Sequence, residues 1–288
     1  QAIPNAMAIS KVNRAPCVLT CPSRVNVQGY VALISKGKFA EALKCIRERN
    51  PLPSICGRIC HHPCEFKCNR GELDEPIAIN PLKRFVADYS RSVSGEGAQA
   101  FAEEKPKIDP NKPKVAIVGS GPSGLTCARD LVKLGYPVTL FEAEEVPGGM
   151  LFLGVPKYRL PKDIVLQEVN NIIELGIDLK LKSPIGSPGL TLDDLKKKGY
   201  KAIYLGIGAM RSRKLDIPGS TLDGILWGVE FLKDINLGHE VKIGRKVVVI
   251  GGGNVAIDVA LSALRCGAEE VHLACLESRD EMPAHEWE

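Results

Sequence analysis

The chain has no apolar run approaching the roughly 20 residues that a helix needs to cross a bilayer, so no membrane span is expected. Gln1 to Ser10 has neither the charged start nor the long apolar core of a secretory signal, and a cytoplasmic location is the expectation. Aromatic residues make up only 5% of the chain and do not interleave with a stripe of Lys and Arg, which argues against nucleic-acid binding. No Ser/His/Asp set and no carboxylate pair has a spacing that suggests hydrolysis. Also missing is any C-x2-C pair, the usual knuckle of a structural zinc site.

What is present points to redox chemistry. With 288 residues and 44% hydrophobic side chains, the chain can bury more than one core, and about 150 residues per domain suggests two. The formal charge of +4 is uneven: residues 1–100 hold 14 Lys+Arg against 8 Asp+Glu, and the rest holds 24 against 26. Ordinary solvated surface accounts for this, and the sharper reading is a basic face for an acidic electron-transfer partner.

Two glycine-rich turns lie 132 residues apart, Gly119-Ser120-Gly121-Pro122-Ser123-Gly124 and Gly251-Gly252-Gly253-Asn254-Val255-Ala256. Each follows a β-branched run, Lys114 to Val118 or Val247 to Ile250, and precedes an amphipathic stretch, Leu125 to Leu134 or Asn254 to Cys266. In that context the first glycine permits a tight turn, the second lets backbone approach a pyrophosphate, and the third small position lets helix and strand pack closely. The phosphates then sit at a helix N-terminus, where unpaired N–H groups and the macrodipole favour anions. After the first turn, strand Val138 to Phe141 ends on Glu142, 23 residues beyond Gly119, a spacing that suits a carboxylate bonded to an adenosine ribose. After the second, Val271 to Leu276 ends on Glu277. Two such sites suggest a flavin and a nicotinamide, because hydride transfer needs donor and acceptor held together.

The first 90 residues read as helical, with apolar positions three and four apart over Val27 to Ser35, Phe39 to Arg49 and Ile79 to Ser90. Seven of ten cysteines crowd into Cys17 to Cys68. Cys56, Cys60, Cys64 and Cys68 recur every fourth residue, a spacing that would line one helix face, and Cys17 and Cys21 share that separation. Buried thiols account for one or two of these but not six, and clustered cysteines beside nucleotide fingerprints point to metal or redox chemistry. Zinc is the rival reading because His61 and His62 lie among the thiols; an iron–sulfur cluster, often ligated by three local thiolates and one distant thiolate before proline, as Cys21 precedes Pro22, is favoured. Cys45, Cys127, Cys266 and Cys275 read as small core side chains.

Cys21-Pro22, Gly57-Arg58-Ile59-Cys60, Pro63-Cys64-Glu65, Ala116 to Gly124, Gly148-Gly149, Pro156 to Pro161 and Met282-Pro283-Ala284 together resemble the small (beta) subunit of glutamate synthase and its relatives. Those relatives include the N-terminal half of dihydropyrimidine dehydrogenase and the flavin subunits of ferredoxin:NAD(P) oxidoreductases. The resemblance implies an α plus α/β architecture: a helical [4Fe-4S] domain over 1–91, a linker over 92–113, a Rossmann-like FAD domain over 114–220, and an inserted NAD(P)H domain over 221–288 that is incomplete as supplied. FAD would be held by Gly119, Ser120, Gly121, Pro122, Ser123, Gly124, Glu142, Gly148, Gly149 and Leu151. The nicotinamide dinucleotide would be held by Gly251, Gly253, Asn254, Val255, Ala256, Glu277 and Arg279.

Three departures from the family pattern shape the expectations. Members with two clusters carry a C-x2-C pair where this chain has Ile9 and Val12, and a Gln-like ligand where it has Lys83. One cluster, on Cys21, Cys60, Cys64 and Cys68, is therefore expected, with Cys17 and Cys56 spare unless a second cluster forms with a partner's ligands. NADPH-using relatives carry two arginines where Leu276 and Glu277 stand. A carboxylate there accepts from a 2′-hydroxyl and repels a 2′-phosphate by about 1–4 kcal/mol at 4 Å, so NADH is expected, with Arg279 as the group able to rescue NADPH. The family also continues beyond the last residue, so the chain is expected to be a fragment. The expected function is electron passage between NADH and an iron–sulfur or ferredoxin-type partner through FAD and the cluster. The alternatives are a glutamate synthase small subunit feeding an amidotransferase, and a non-catalytic iron–sulfur and flavin scaffold.

Overall fold

The computed structural model describes residues 15–285. By contact the chain divides into two units, Gln1–Lys105 and Pro106–Glu288.

The first unit is helical: α1 Pro16–Thr20, α2 Val27–Ser35, α3 Phe39–Arg47, α4 Pro53–Ile59, α5 Pro63–Phe66 and α6 Ile79–Ser92. Asn26 caps α2 by accepting the Gly29 N–H at 3.0 Å. Gly37, at φ +70°, reverses the chain into α3. Tyr30, Leu43, Ile46 and Val86 are buried in the core, and the Tyr30 hydroxyl donates to the Ile79 carbonyl at 2.9 Å. Residues that read as aperiodic linker still dock here: Arg47 donates to the Phe101 carbonyl at 2.6 Å, and Phe101 meets Tyr89 edge-on.

Cys56 to Cys68 do not share a helix face. Pro63 disfavours helical backbone at the residue before it, and His62 turns to φ +39°. The run therefore breaks into α4, ending before Cys60, and the single turn α5, ending before Cys68.

The second unit contains two parallel sheets. The first joins β1 Val115–Val118, β2 Val138–Phe141, β3 Asp178–Lys180 and β4 Ala202–Leu205 in the order β3-β2-β1-β4. Both central strands are buried along their length, which is why they read as unbroken apolar runs rather than alternating ones. Helices α7 Pro122–Lys133, α8 Met150–Leu153, α9 Lys162–Ile173 and α10 Leu192–Lys197 lie in the connections. The second sheet pairs β5 Lys246–Ile250 with β6 Glu270–Ala274 across α12 Asn254–Arg265, preceded by α11 Gly228–Leu237. Val248 and Ile250 on β5 are exposed. No helix among the described residues is long and apolar enough to cross a membrane.

Candidate functional site

The first glycine turn runs from the end of β1 into α7. Gly119 stands at φ +99°, and a Cβ there would lie 2.4 Å from the Gly206 carbonyl oxygen. A Cβ on Gly124 would lie 1.9 Å from the Gly119 carbonyl oxygen, so strand and helix meet too closely for any side chain. At Gly121 a Cβ would meet nothing within 4 Å. The open side of the turn thus faces away from the protein's own packing, where a pyrophosphate would approach. No side chain caps the N-terminus of α7, Pro122 occupies its first turn, and its leading N–H groups suit an anion.

Glu142 lies beside this turn and is buried. Its carboxylate accepts the Ser120 N–H at 2.9 Å, the Ser120 hydroxyl, and the Glu144 N–H at 3.0 Å. Two carboxylate oxygens offer about four acceptor positions, so one remains for a ribose hydroxyl. Ser120 Oγ also accepts the Gly148 N–H at 3.0 Å, and a Cβ on Gly149 would lie 2.9 Å from the Gly121 Cα. Gly148 and Gly149 both have positive φ, and Leu151 is buried in α8 directly after them. Ser123 Oγ pairs with the Tyr204 hydroxyl at 2.6 Å across the helix entry. The structure thereby gathers the flavin-side residues expected from sequence around one turn, and their donor and acceptor chemistry fits an adenine dinucleotide.

The second turn repeats the arrangement between β5 and α12. Gly251 stands at φ +137°, Gly253 has open space where a Cβ would be, and no side chain caps α12. Gly251, Gly253, Asn254, Val255 and Ala256 line a cavity of about 890 Å³. A Cβ on Gly252 would lie 3.3 Å from Glu277 Oε2, so the Glu277 carboxylate stands over the turn although it falls three residues beyond the end of β6. Arg279 is exposed at the start of a short 3₁₀ turn.

In the first unit, thiols from α1, from the end of α4 and from α5 approach one another. Burial raises the Cys17 pKa, and charge on Cys68 and then on Cys21 raises it further. Burial pushes the Cys64 thiol up to about 11; the Lys83 ammonium opposes the rise, while Glu65, Cys60 and Cys21 add to it. Burial raises Tyr30, and the charges of Cys64, Cys17 and Cys21 follow as smaller causes. Metal ligation takes these groups as thiolates, and a positively charged metal core would lower the pKa values that burial raises. Free cysteines on neighbouring short helices are the donor type an iron–sulfur cluster takes, although their side chains do not stand in ligating positions. Among the described residues, no three His, Cys, Asp or Glu side chains converge as they would around one metal ion. Cys56 turns elsewhere, donating to Asn50 Oδ1 at 3.4 Å. Cys17 and Cys68 line one surface groove of the first unit. Ile9 and Val12 lie outside the described residues.

Comparison with known proteins follows the same division. Residues 1–94 match the family described as dihydropyrimidine dehydrogenase domain II, 4Fe-4S cluster. Residues 113–284 match the pyridine nucleotide-disulphide oxidoreductases. The chain belongs to the pyridine nucleotide-disulphide oxidoreductase family. It is 43% identical to the NADP(+)-dependent formate dehydrogenase subunit beta of Moorella thermoacetica, over 94% of this chain and 41% of that one. It is 42% identical to the NADPH-Fe(3+) oxidoreductase subunit beta of Geobacter sulfurreducens, over 95% and 40%. It is 32% identical to the NAD-dependent dihydropyrimidine dehydrogenase subunit PreT of Salmonella typhimurium, over 100% and 68%. The chain thus spans about two-fifths of the length of the first two relatives. The solved structure of Mycobacterium tuberculosis FprA in complex with NADPH superposes with a TM-score of 0.53 and 25% identity, over 60% of this chain and 45% of that one. The resemblance drawn from the motifs therefore holds: a helical 4Fe-4S-type domain precedes a Rossmann-like oxidoreductase domain.

Within this pyridine nucleotide-disulphide oxidoreductase fold, sequence reasoning missed how the Met282-Pro283-Ala284 segment folds back. The Ala284 N–H donates to the Gly252 carbonyl at 3.0 Å, and the His285 N–H to Asn254 Oδ1 at 3.0 Å. It also missed the Cys275 thiol, which donates to the Glu277 carbonyl at 3.3 Å. Isolated hydrogen bonds of this kind leave no periodicity to find them by.

Proposed function

We propose that this chain is the nicotinamide-linked, flavin-binding part of an iron–sulfur oxidoreductase that moves electrons between NAD(P)H and a partner redox subunit. The observation that carries the reading is the pair of uncapped glycine turns in two parallel sheets of one unit, each with a carboxylate beside it. Gly119 to Gly124, Glu142, Gly148, Gly149 and Leu151 would hold FAD, and Gly251 to Ala256 with Glu277 the nicotinamide dinucleotide. FAD, when bound, accepts two electrons at once and releases them singly. The protein's part is to position the two dinucleotides.

Cys21, Cys60 and Cys64 are the favoured thiolates for one [4Fe-4S] cluster, with Cys68 as the fourth ligand and Cys17 as its competitor for that place. Relatives named as beta subunits support a partner subunit as the electron source or sink. For the dinucleotide we infer NADH, because the Glu277 carboxylate stands over the second turn where a 2′-phosphate would be repelled. The relatives at 43% and 42% identity are named for NADP(+) or NADPH, so the comparison of kcat/KM for the two coenzymes is decisive: a higher value with NADPH overturns the assignment of Glu277.

The test of the whole reading is anaerobic isolation of the full-length protein with iron, sulfide and flavin counted per chain, followed by titration with NADH and NADPH. About one flavin and about four irons per chain, with the flavin bleached by a reduced nicotinamide, are expected. A colourless protein, or one whose flavin neither coenzyme bleaches, refutes it.

A further inference from the structure

The segment between β2 and α9, residues 144–161, touches the first glycine turn of the second unit and the helix that follows the second. At one end Gly148 and Gly149 are anchored on the first turn through Ser120 and Gly121. At the other end Arg159 Nη1 donates to Asp258 Oδ2 at 2.7 Å, and the Tyr158 hydroxyl donates to Asp258 Oδ1 at 3.3 Å. Asp258 is 7% exposed and lies one turn inside α12, whose N-terminus is the second glycine turn. The Arg265 guanidinium lies 3.9 Å over the Tyr158 ring from the last turn of that same helix. Helix α11 grips the segment as well: Lys233 pairs with Glu144, and the Asn236 amide donates to the Leu153 carbonyl at 2.8 Å.

Only Asp258 of this ion pair is buried and Arg159 is partly exposed; desolvation offsets much of the pair's attraction, but its hydrogen bonds tolerate few geometries. A packed hydrophobic contact at this place would hold the segment equally well while permitting it to slide. We propose that the Arg159–Asp258 pair is a positioning device that fixes the second glycine turn relative to the first, and thereby sets the nicotinamide against the flavin. The proposal rests on the reading given under Proposed function. Neither residue lines the cavity at the second turn, so the pair is placed to act through α12 and the 144–161 segment.

The test compares full-length wild type with Asp258→Asn and with the double variant Arg159→Met/Asp258→Leu, which removes both charges and leaves none buried alone. Flavin content, the dissociation constants for NADH and NADPH, the rate of flavin bleaching at saturating coenzyme, and amide hydrogen exchange are measured on each. The expected result is flavin content unchanged, dissociation constants within about twofold and bleaching slowed about tenfold or more, since small misplacements of reacting partners are costly. Exchange should quicken at 155–161 and 254–258 and stay unchanged at 115–119. Bleaching at the wild-type rate in the variant that folds overturns the proposal, as does a slowing accounted for by lost flavin or weakened coenzyme binding. A wild type that holds flavin yet is bleached by neither coenzyme overturns the functional reading instead, and exchange at the two segments then decides whether the pair couples the turns.

Discussion

A Cβ on Gly124 would meet the Gly119 carbonyl oxygen at 1.9 Å, whereas one on Gly121 would meet nothing. Packing therefore excludes a side chain at Gly124 and leaves room for one at Gly121, the room the proposed flavin site would use. Gly124→Ala is expected to destabilise the protein by about 3 kcal/mol, because backbone cannot yield as a side-chain tip can. Gly121→Ala is expected to leave the stability of the flavin-free protein within about 1 kcal/mol and to weaken FAD about tenfold or more. Thermal melts and flavin titration distinguish the two, and equal loss of stability in both variants would contradict the division. At the second turn, Glu277→Gln should raise the ratio of kcat/KM for NADPH over NADH about tenfold, the loss of one close repulsion. An unchanged ratio would show that another group reads the 2′ position.

Among the elements, the single turn α8 ends against Lys162, whose ammonium donates to the carbonyls of Phe152 and Val155, the latter at 2.6 Å. Burial lowers its pKa from the ordinary lysine range to about 8. In the unfolded chain the same amine holds its proton up to about pH 10.4. Between these values the unfolded state carries a proton that the folded state lacks, so this group makes stability rise with pH; below about pH 8 both states are protonated and the cost of burying the charge is fully present. The melting temperature of wild type should therefore gain on that of Lys162→Met as pH climbs from 8 to 10, and a constant difference across that range would rule the effect out. The thiol-bearing elements show the complementary case. Four-residue spacing suggested one helix face, but Pro63 and the left-handed His62 divide the run. The break lets the His62 N–H donate to Cys60 Sγ at 3.3 Å, a contact that an unbroken helix would direct along its own axis.

At the scale of the whole molecule, the thiol set and the two glycine turns belong to different contact units, Gln1–Lys105 and Pro106–Glu288. Loss of the metal centre should therefore leave the dinucleotide chemistry in place. In the full-length protein, Cys60→Ser together with Cys64→Ser is expected to remove iron, to leave flavin content and its bleaching by NAD(P)H within about twofold, and to abolish reduction of a one-electron acceptor. Flavin lost along with iron would show that the two sites do not fold independently.

The glycine turns and Glu142 were legible without coordinates because their demands are local: a tight turn, a free helix N-terminus and a strand of set length fix the spacing. Helices α2, α3 and α6 were legible for the same reason, since amphipathic period is a property of consecutive residues. Where Glu277 stands relative to Gly252 and which helix receives Arg159 were decided only by tertiary structure. Those contacts join residues tens of positions apart, and their existence depends on chain reversals and packing that no local pattern of side chains encodes.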